Sequence, residues 1–490
     1  MFLKKEKLTV EALVLILLSI YSYSINWYSG NIGVIPIDSF GFLDTGYSII
    51  NGHLPIKDFW IFTGLLVDYM EAAFLYLFGN NWNSHLAHGS FMNIFATISL
   101  YYFLKEYDLK ISYICFYCLC FATLCYPLSG TPFAYLHAYI FSLIAIFNLL
   151  IAIKTKNRLL WLVFPFICLF AFLSMQTPTM YILIVLLFLL IFHFVKTKEF
   201  KNLRFFLIGG TLSVSFLFLF LIFTKTPLLN FIYQYILFPI TIGEARITSK
   251  AIAYISLLDQ LNPKRLLGEF KFIHIFLIPL IFLSFKIIKK KNKNLNYLNF
   301  TIIFSTLAFF FNQLITANQI YIFSLIPILA AIVHINLDNL KINPKILYLL
   351  IFIVLFATTK FHFRFNIDRK FHDLEHVDKG KAIKASAINS NFKNLRWISK
   401  LDDPKNELEV IKQAIEIISE DKKEKILITH YQFMSAFTDQ PLNILNRWYL
   451  WDNNTHPTEN HKYFEFYKSL VNKNIKTNNI KVIYLLGQEN

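Results

Sequence analysis

The sequence predicts a polytopic α-helical membrane protein with about eleven crossings, interfacial helices near the N-terminus and a small C-terminal α/β extracytoplasmic domain. Three observations predict it. Many apolar runs are long enough to cross a bilayer. Basic loops alternate with loops poor in basic clusters. From about Lys360 the composition turns mixed and polar.

The apolar excess comes first. The 490 residues are 56% hydrophobic and 16% charged, with a mean hydropathy of +0.49, whereas a soluble protein carries about 25% charged residues. The 53 Phe suit lipid-facing helices and carry no catalytic information. A span needs about 17–25 mostly apolar residues. Such runs lie near 8–27, 85–104, 111–128, 133–153, 159–175, 180–195, 205–223, 272–288, 298–316, 320–336 and 345–359. The first follows Lys4, Lys5 and Lys7. It is too long for the apolar core of a signal peptide and lacks a cleavage pattern, so it reads as a retained helix with a cytoplasmic flank.

The net charge of +16 fits positive-inside topology. The Lys and Arg clusters sit in short loops between apolar runs, which argues against a nucleic-acid partner. Cys115, Cys118, Cys120, Cys125 and Cys168 all lie in apolar stretches. Cys115 and Cys118 form a CxxC with no second pair or histidine cluster beside it, so these read as small core residues.

The basic loops set the topology. They occur at Lys105–Lys110, Lys154–Arg158, Lys196–Arg204, Lys286–Lys293 and Asp338–Lys345. With the N-terminus and Lys105 both inside, an even number of crossings separates them, and 8–27 and 85–104 already supply two. The run 61–79 is then not a crossing. It holds Asp68 and Glu71, and an acid at the bilayer centre costs roughly 2.5–3.5 kcal/mol. An interfacial helix that leaves both carboxylates wet is expected instead. The chain thus divides into a transmembrane part, 1–359, with 28–84 as its first outer loop, and an outer domain, 360–490. In the latter, Glu407–Ser419 has helical patterning, and the apolar runs Lys425–Thr429 and Lys481–Leu486 read as buried strands.

Chemistry concentrates in the first outer loop. Asp38, Asp44 and Asp58 fall within about twenty residues. Phe40, Leu43, Tyr47 and Ile50 recur at helical spacing, so an amphipathic surface helix over 39–51 is expected, with Asp38 as its N-cap and Gly52 at its end. One reading is a solvated loop whose aspartates cap helices. The other is an interfacial carboxylate acting as a base on a hydroxyl or amine.

An Asp at a helix start, a Gly-x-x-Pro beginning fourteen positions later, and then Asp-Phe resembles the first outer loop of GT-C glycosyltransferases. The subgroup is that of the protein O-mannosyltransferases and the aminoarabinose lipid A transferases. Asp38 matches the catalytic Asp, and Gly52, Pro55, Asp58 and Phe59 match the second piece. Ser39 stands where an acidic neighbour is frequent, and Ile56 stands where Tyr is usual. The motif support lies in residues 36–79. The resemblance implies a polyprenyl-phosphate-linked sugar donor, direct inverting transfer at the outer face of a bacterial inner membrane, and Asp38 as base. Asp58 joins it as a candidate catalytic carboxylate.

Other candidates come from other outer segments. Arg246, in an apolar outer stretch, suits bidentate phosphate binding, and Lys57 lies beside the carboxylates. Lys250, Lys264 and Arg265 suit either the donor phosphate or lipid headgroups. Asp44, Asp68, His137 and Gln176 are candidates for the substrate cavity. His137 also reads as a satisfied interface residue, and Gln176 as part of a helix-ending turn. Gln313 and Asn318–Tyr321 approach the outer side. In the tail, Thr429–Phe433 and Arg447–Tyr449 read either as sugar-binding loops or as a packed core. No Gly-rich phosphate loop and no Asp-x-Asp occurs, which weighs against a nucleotide-sugar donor. No cofactor signature is identified, and divalent-metal use stays open. The rival classes are a transporter or flippase of lipid-linked glycans and a glycan polymerase or ligase. The first needs mid-span charge, which is nearly absent. The second usually places key Arg residues in a late outer loop.

Overall fold

The computed structural model describes residues 2–125, 130–248, 261–268, 270–316, 321–438, 440, 442–450 and 453–487. Lys250 and 318–320 lie outside them, and so do the side chains of Arg265 and Tyr321. Among the described residues, eight helices are long and apolar enough to cross a membrane. The long helices are α1 (Phe2–Gly30), α5 (Trp82–Glu106), α6 (Ile111–Leu124), α7 (Ala134–Thr155), α8 (Arg158–Ser174), α9 (Gln176–Thr197), α10 (Phe200–Phe223), α14 (Lys271–Lys289), α15 (Lys293–Thr316), α16 (Leu325–Leu340) and α17 (Lys345–His362). Of these, α6 and α8 are shorter apolar helices, and α5 carries more polar residues; the short helices α11 (Leu228–Phe231), α12 (Phe238–Ile247) and α13 (Pro263–Gly268) lie between α10 and α14 in the chain. This is a polytopic helical membrane protein.

Polar contacts show which helix ends share an end of the bundle. At one end Lys105 pairs with Glu11, Lys154 Nζ lies 3.7 Å from Asp108, Lys156 Nζ lies 2.8 Å from Glu199, and Lys290 Nζ donates to the Asn339 carbonyl. At the other end Asn26 Nδ2 donates to the Gly130 carbonyl at 3.0 Å and the Gly64 N–H to the Ser174 carbonyl at 2.8 Å. Consecutive long helices therefore run in alternate directions. Packing grades them. The apolar window of α7 is 89% buried and that of α10 is 17% buried, so α7 is central and α10 is peripheral. α10 meets α8 closely at Gly209, where an added Cβ would stand 2.1 Å from the Leu162 carbonyl oxygen, the small-residue approach common between membrane helices.

The first loop is not a surface helix. It folds as α2 (Pro36–Ser39), α3 (Gly41–Ile50) and α4 (Leu65–Phe78). Every residue from Gly41 to Ser48 is buried, because the C-terminal segment covers the face that an isolated amphipathic helix would give to water. Asp38 is not the N-cap. Ile35 holds that position and Pro36 opens the turn, whose fixed φ suits a first helical residue. Phe40, with φ −116° and ψ −15°, breaks α2 from α3. Asp68 and Glu71 are not wet either; both are fully buried.

Beyond α17 the chain forms α18 (Pro404–Glu420), α19 (Met434–Phe437) and α20 (Phe464–Thr477), with β1 (Ile383–Lys384) antiparallel to β2 (Arg396–Trp397). β3 (Lys425–Thr429) lies parallel to β4 (Val482–Leu486), with Lys425 opposite Val482. α18 starts where the Asp403 side chain accepts from the Lys405 N–H at 3.0 Å, with Pro404 as its first residue. Leu408, Ile411 and Ile418 recur at helical spacing and are buried. They share a core with Phe40 of the first loop. The Phe40 ring stacks on Trp397 at 5.8 Å and meets Phe433 at 5.0 Å edge-on.

Candidate functional site

The site forms where the first loop meets the C-terminal segment. Gly33 and Val34 N–H groups donate to the Arg396 and Ile398 carbonyls, both at 2.9 Å, and bring α2 alongside β2. Ser39 Oγ accepts from the Ile35 N–H at 3.1 Å and closes the short helix on itself. Phe40 then plugs into the aromatic core. Asp38, between these two anchors, keeps part of its surface accessible. Among the described residues its carboxylate takes part in no hydrogen bond or ion pair. Burial in this crowded position pushes its carboxyl up to about 7, close to the value a general base needs at neutral pH.

Asp44 and Asp68 lie on the same joint. Asp44 is 3% exposed, and its Oδ1 has no hydrogen-bond partner among the described residues. Burial raises its carboxyl well above the ordinary value. It lies close enough to Tyr449 to act on it electrostatically. Asp68 accepts from Thr45 Oγ1 at 2.6 Å and pairs with Arg447. Burial raises its carboxyl to about 6 against the pull of that guanidinium. Arg447 also donates to the Thr63 carbonyl and lies over the Phe42 ring, 4.4 Å from its centroid. Gly64, at φ +73°, makes room for it, since a Cβ there would stand 2.9 Å from the Arg447 Nη1.

Asp58 and Lys57 sit elsewhere, in a small cleft of about 50 Å³ against α20 with His53 and Lys473. Asp58 Oδ2 accepts from the Leu54 N–H at 2.8 Å and lies 3.6 Å from Lys57 Nζ, so this carboxylate closes its own turn. Gln176 Nε2 donates to the Phe62 carbonyl at 2.9 Å and the Tyr235 carbonyl at 2.7 Å, tying α9 to two neighbouring segments. Arg246, in α12 (Phe238–Ile247), acts on Tyr135 and Tyr181 through its charge. The Tyr135 hydroxyl donates to Thr316 Oγ1 at 3.0 Å and accepts from Asn312 Nδ2. Asn312 Oδ1 and Gln313 Oε1 are buried and have no hydrogen-bond partner among the described residues. Arg246 thus borders a polar group of side chains at the first-loop end of α7 and α15.

His137 belongs to a chain that sequence reasoning did not assemble. Its Nε2 lies 3.0 Å from His88 Nε2; His88 and His85 both reach Glu71; and His85 reaches the Ser39 carbonyl. The sequence carries a signal for it. His85 and His88 are three residues apart at the start of α5, so they share a face, and Glu71 is an acid in an apolar helix that requires a partner. Among the described residues no three metal-ligating side chains converge as a metal site.

No family model matches the chain, and no curated protein matches it.

Proposed function

We propose that this chain is an integral-membrane glycosyltransferase that moves a sugar from a polyprenyl-phosphate donor to a lipid, glycan or protein acceptor. In this reading the protein crosses a bacterial inner membrane eleven times. The first loop and the C-terminal segment then face the periplasm, where the donor headgroup lies. The acceptor oxygen or nitrogen attacks the anomeric carbon and Asp38 takes its proton. The bond from that carbon to the phosphate oxygen breaks with inversion, and polyprenyl phosphate leaves with the electron pair. Arg246 is the candidate cation for the departing phosphate, since Lys57 lies in a separate cleft beside Asp58.

The observation that carries the reading is the Asp38 carboxyl: partly accessible, without a hydrogen-bond partner among the described residues, and raised to about 7. A buried structural aspartate is normally satisfied by hydrogen bonds, as Asp68 is here. The test is transfer of labelled sugar from polyprenyl phosphate in membranes. Asp38→Asn is expected to lose about 10²–10⁴-fold in rate, and kcat/KM of the wild type to rise with pH through about 7 as the base loses its proton. Equal rates for wild type and variant would remove Asp38 from the chemistry. Glycan flipping without transfer would favour a transporter. A reporter fused after Thr359 that proved cytoplasmic would overturn the crossing count.

A further inference from the structure

The chain from Ser39 through His85, Glu71 and His88 to His137 is fully buried, and each imidazole uses both of its nitrogens. The directions of its hydrogen bonds follow from its ends. The Ser39 carbonyl can only accept, so His85 Nε2, 3.0 Å away, carries a proton. The Phe133 carbonyl can only accept, so His137 Nδ1, 2.8 Å away, carries one too. A neutral His137 then presents a lone pair at Nε2, and His88 Nε2 must donate across their 3.0 Å contact.

Two contacts remain, each 2.7 Å: Glu71 Oε1 to His85 Nδ1 and Glu71 Oε2 to His88 Nδ1. Each needs one proton. If Glu71 is ionised, both rings must be imidazolium, giving two positive charges and one negative. If Glu71 is protonated, it can donate to only one ring, and the other must be imidazolium. Both arrangements leave one net positive charge. With one proton fewer, two lone pairs would face each other at 2.7 Å in a buried site, and a contact would open.

We infer that Glu71, His85, His88 and His137 form one proton-sharing unit that holds a net positive charge and, through the Ser39 carbonyl, positions the helix that carries Asp38. The positioning half rests on the catalytic reading of Asp38. The unit joins three elements: α4 supplies Glu71, α5 supplies His85 and His88, and α7 supplies His137. The Phe74 ring stacks on His88 at 5.0 Å and Trp82 lies 5.3 Å from His85, which shields both from water. Among the described residues, the charged group shown to face it from outside is Asp68 on α4, itself paired with Arg447. Asp68 acts on Glu71 electrostatically. Loss of the extra proton frees His85 or His88 from Glu71, and the hold of α5 on Ser39 slackens.

The test is ¹⁵N NMR of histidine-labelled full-length protein in lipid nanodiscs. At about pH 8 an ordinary imidazole, with a pKa of about 6.5, is neutral. Imidazolium resonances that persist there in the wild type and vanish in Glu71→Ala are expected. A wild type with every histidine neutral at that pH overturns the proton count, and needs no variant to fold. For positioning, the wild-type kcat should fall at alkaline pH in step with those resonances. His85→Gln should lower kcat about 10-fold or more, leave the donor KM within about twofold, and abolish that alkaline limb. An unchanged alkaline limb in His85→Gln overturns the positioning role. Full transfer by Asp38→Asn removes the catalytic reading and the positioning role with it, while the resonances alone decide the proton count.

Discussion

Asp68 and Glu71 stand three residues apart on α4, and their carboxylates are answered in different ways. Asp68 turns to the C-terminal segment, where Arg447, nearly four hundred residues later in the chain, supplies a full positive charge. Glu71 turns to the helical bundle, where His85 and His88, fourteen and seventeen residues on, supply titratable partners. The first pair ties two distant parts of the chain together, and a guanidinium cannot give up its proton. The second can change its proton count. One short helix thus carries a clasp whose partner holds a fixed charge and a clasp whose partners titrate, and the helix bearing Asp38 is tied to the second through the Ser39 carbonyl. An acid in an apolar helix marks a partner to be found rather than a wet surface, since an uncompensated buried charge is costly.

The largest effect should come from breaking the Asp68–Arg447 clasp. Arg447→Met leaves Asp68 buried and unpaired and should destabilise by about 3–5 kcal/mol, read as a lower thermal midpoint of the purified protein. Adding Asp68→Leu should recover most of that loss. A single variant as stable as the wild type would mean that the ion pair does not hold the joint.

Glu71→Gln should cost less, about 1–2 kcal/mol, because a carboxamide can still accept from one histidine and donate to the other. A loss as large as that of Arg447→Met would erase the distinction between the two clasps.

The pH dependence sharpens the comparison further. The Asp68 carboxyl rises from 3.8 to about 6 on folding, so the folded state holds its proton more tightly than the unfolded chain. The stability this proton contributes is complete below about 3.8 and is lost as pH rises through about 6. Asp68→Asn should therefore flatten that part of the stability profile in a series of thermal midpoints from pH 4 to 7. An unaltered profile would show that Arg447 already keeps Asp68 ionised across the range.

The smallest effect is expected at Lys57 and Asp58, whose side chains are 31% and 29% exposed. Lys57→Ala should shift stability by at most about 1 kcal/mol. A larger loss would show that the cleft against α20 bears on the fold as much as the buried clasps do.

The sequence by itself determined what local chemistry determines. Apolar runs set the helices, because backbone groups in lipid must be satisfied within a helix. The predicted runs 205–223 and 345–359 fall inside α10 and α17, and 133–153 begins one residue ahead of α7. The patterning at Glu407–Ser419 marks α18, and Lys425–Thr429 and Lys481–Leu486 mark the strands that pair as β3 and β4. The aspartates of the first loop stood out as a group, Asp38 among them. Only the tertiary structure decided which of those carboxylates face one another and which are buried. Arg447 could not be matched to Asp68 from spacing, because their pairing depends on the C-terminal segment docking on α3. The same docking buries Gly41–Ser48, whose helical period alone predicts a wet face. His137 reads as an isolated polar residue until α7 packs beside α5 and brings it to His88. Burial and partnership are properties of that packing, so the raised carboxyl of Asp38 and the proton count of the Glu71 unit belong to the fold rather than to the chain.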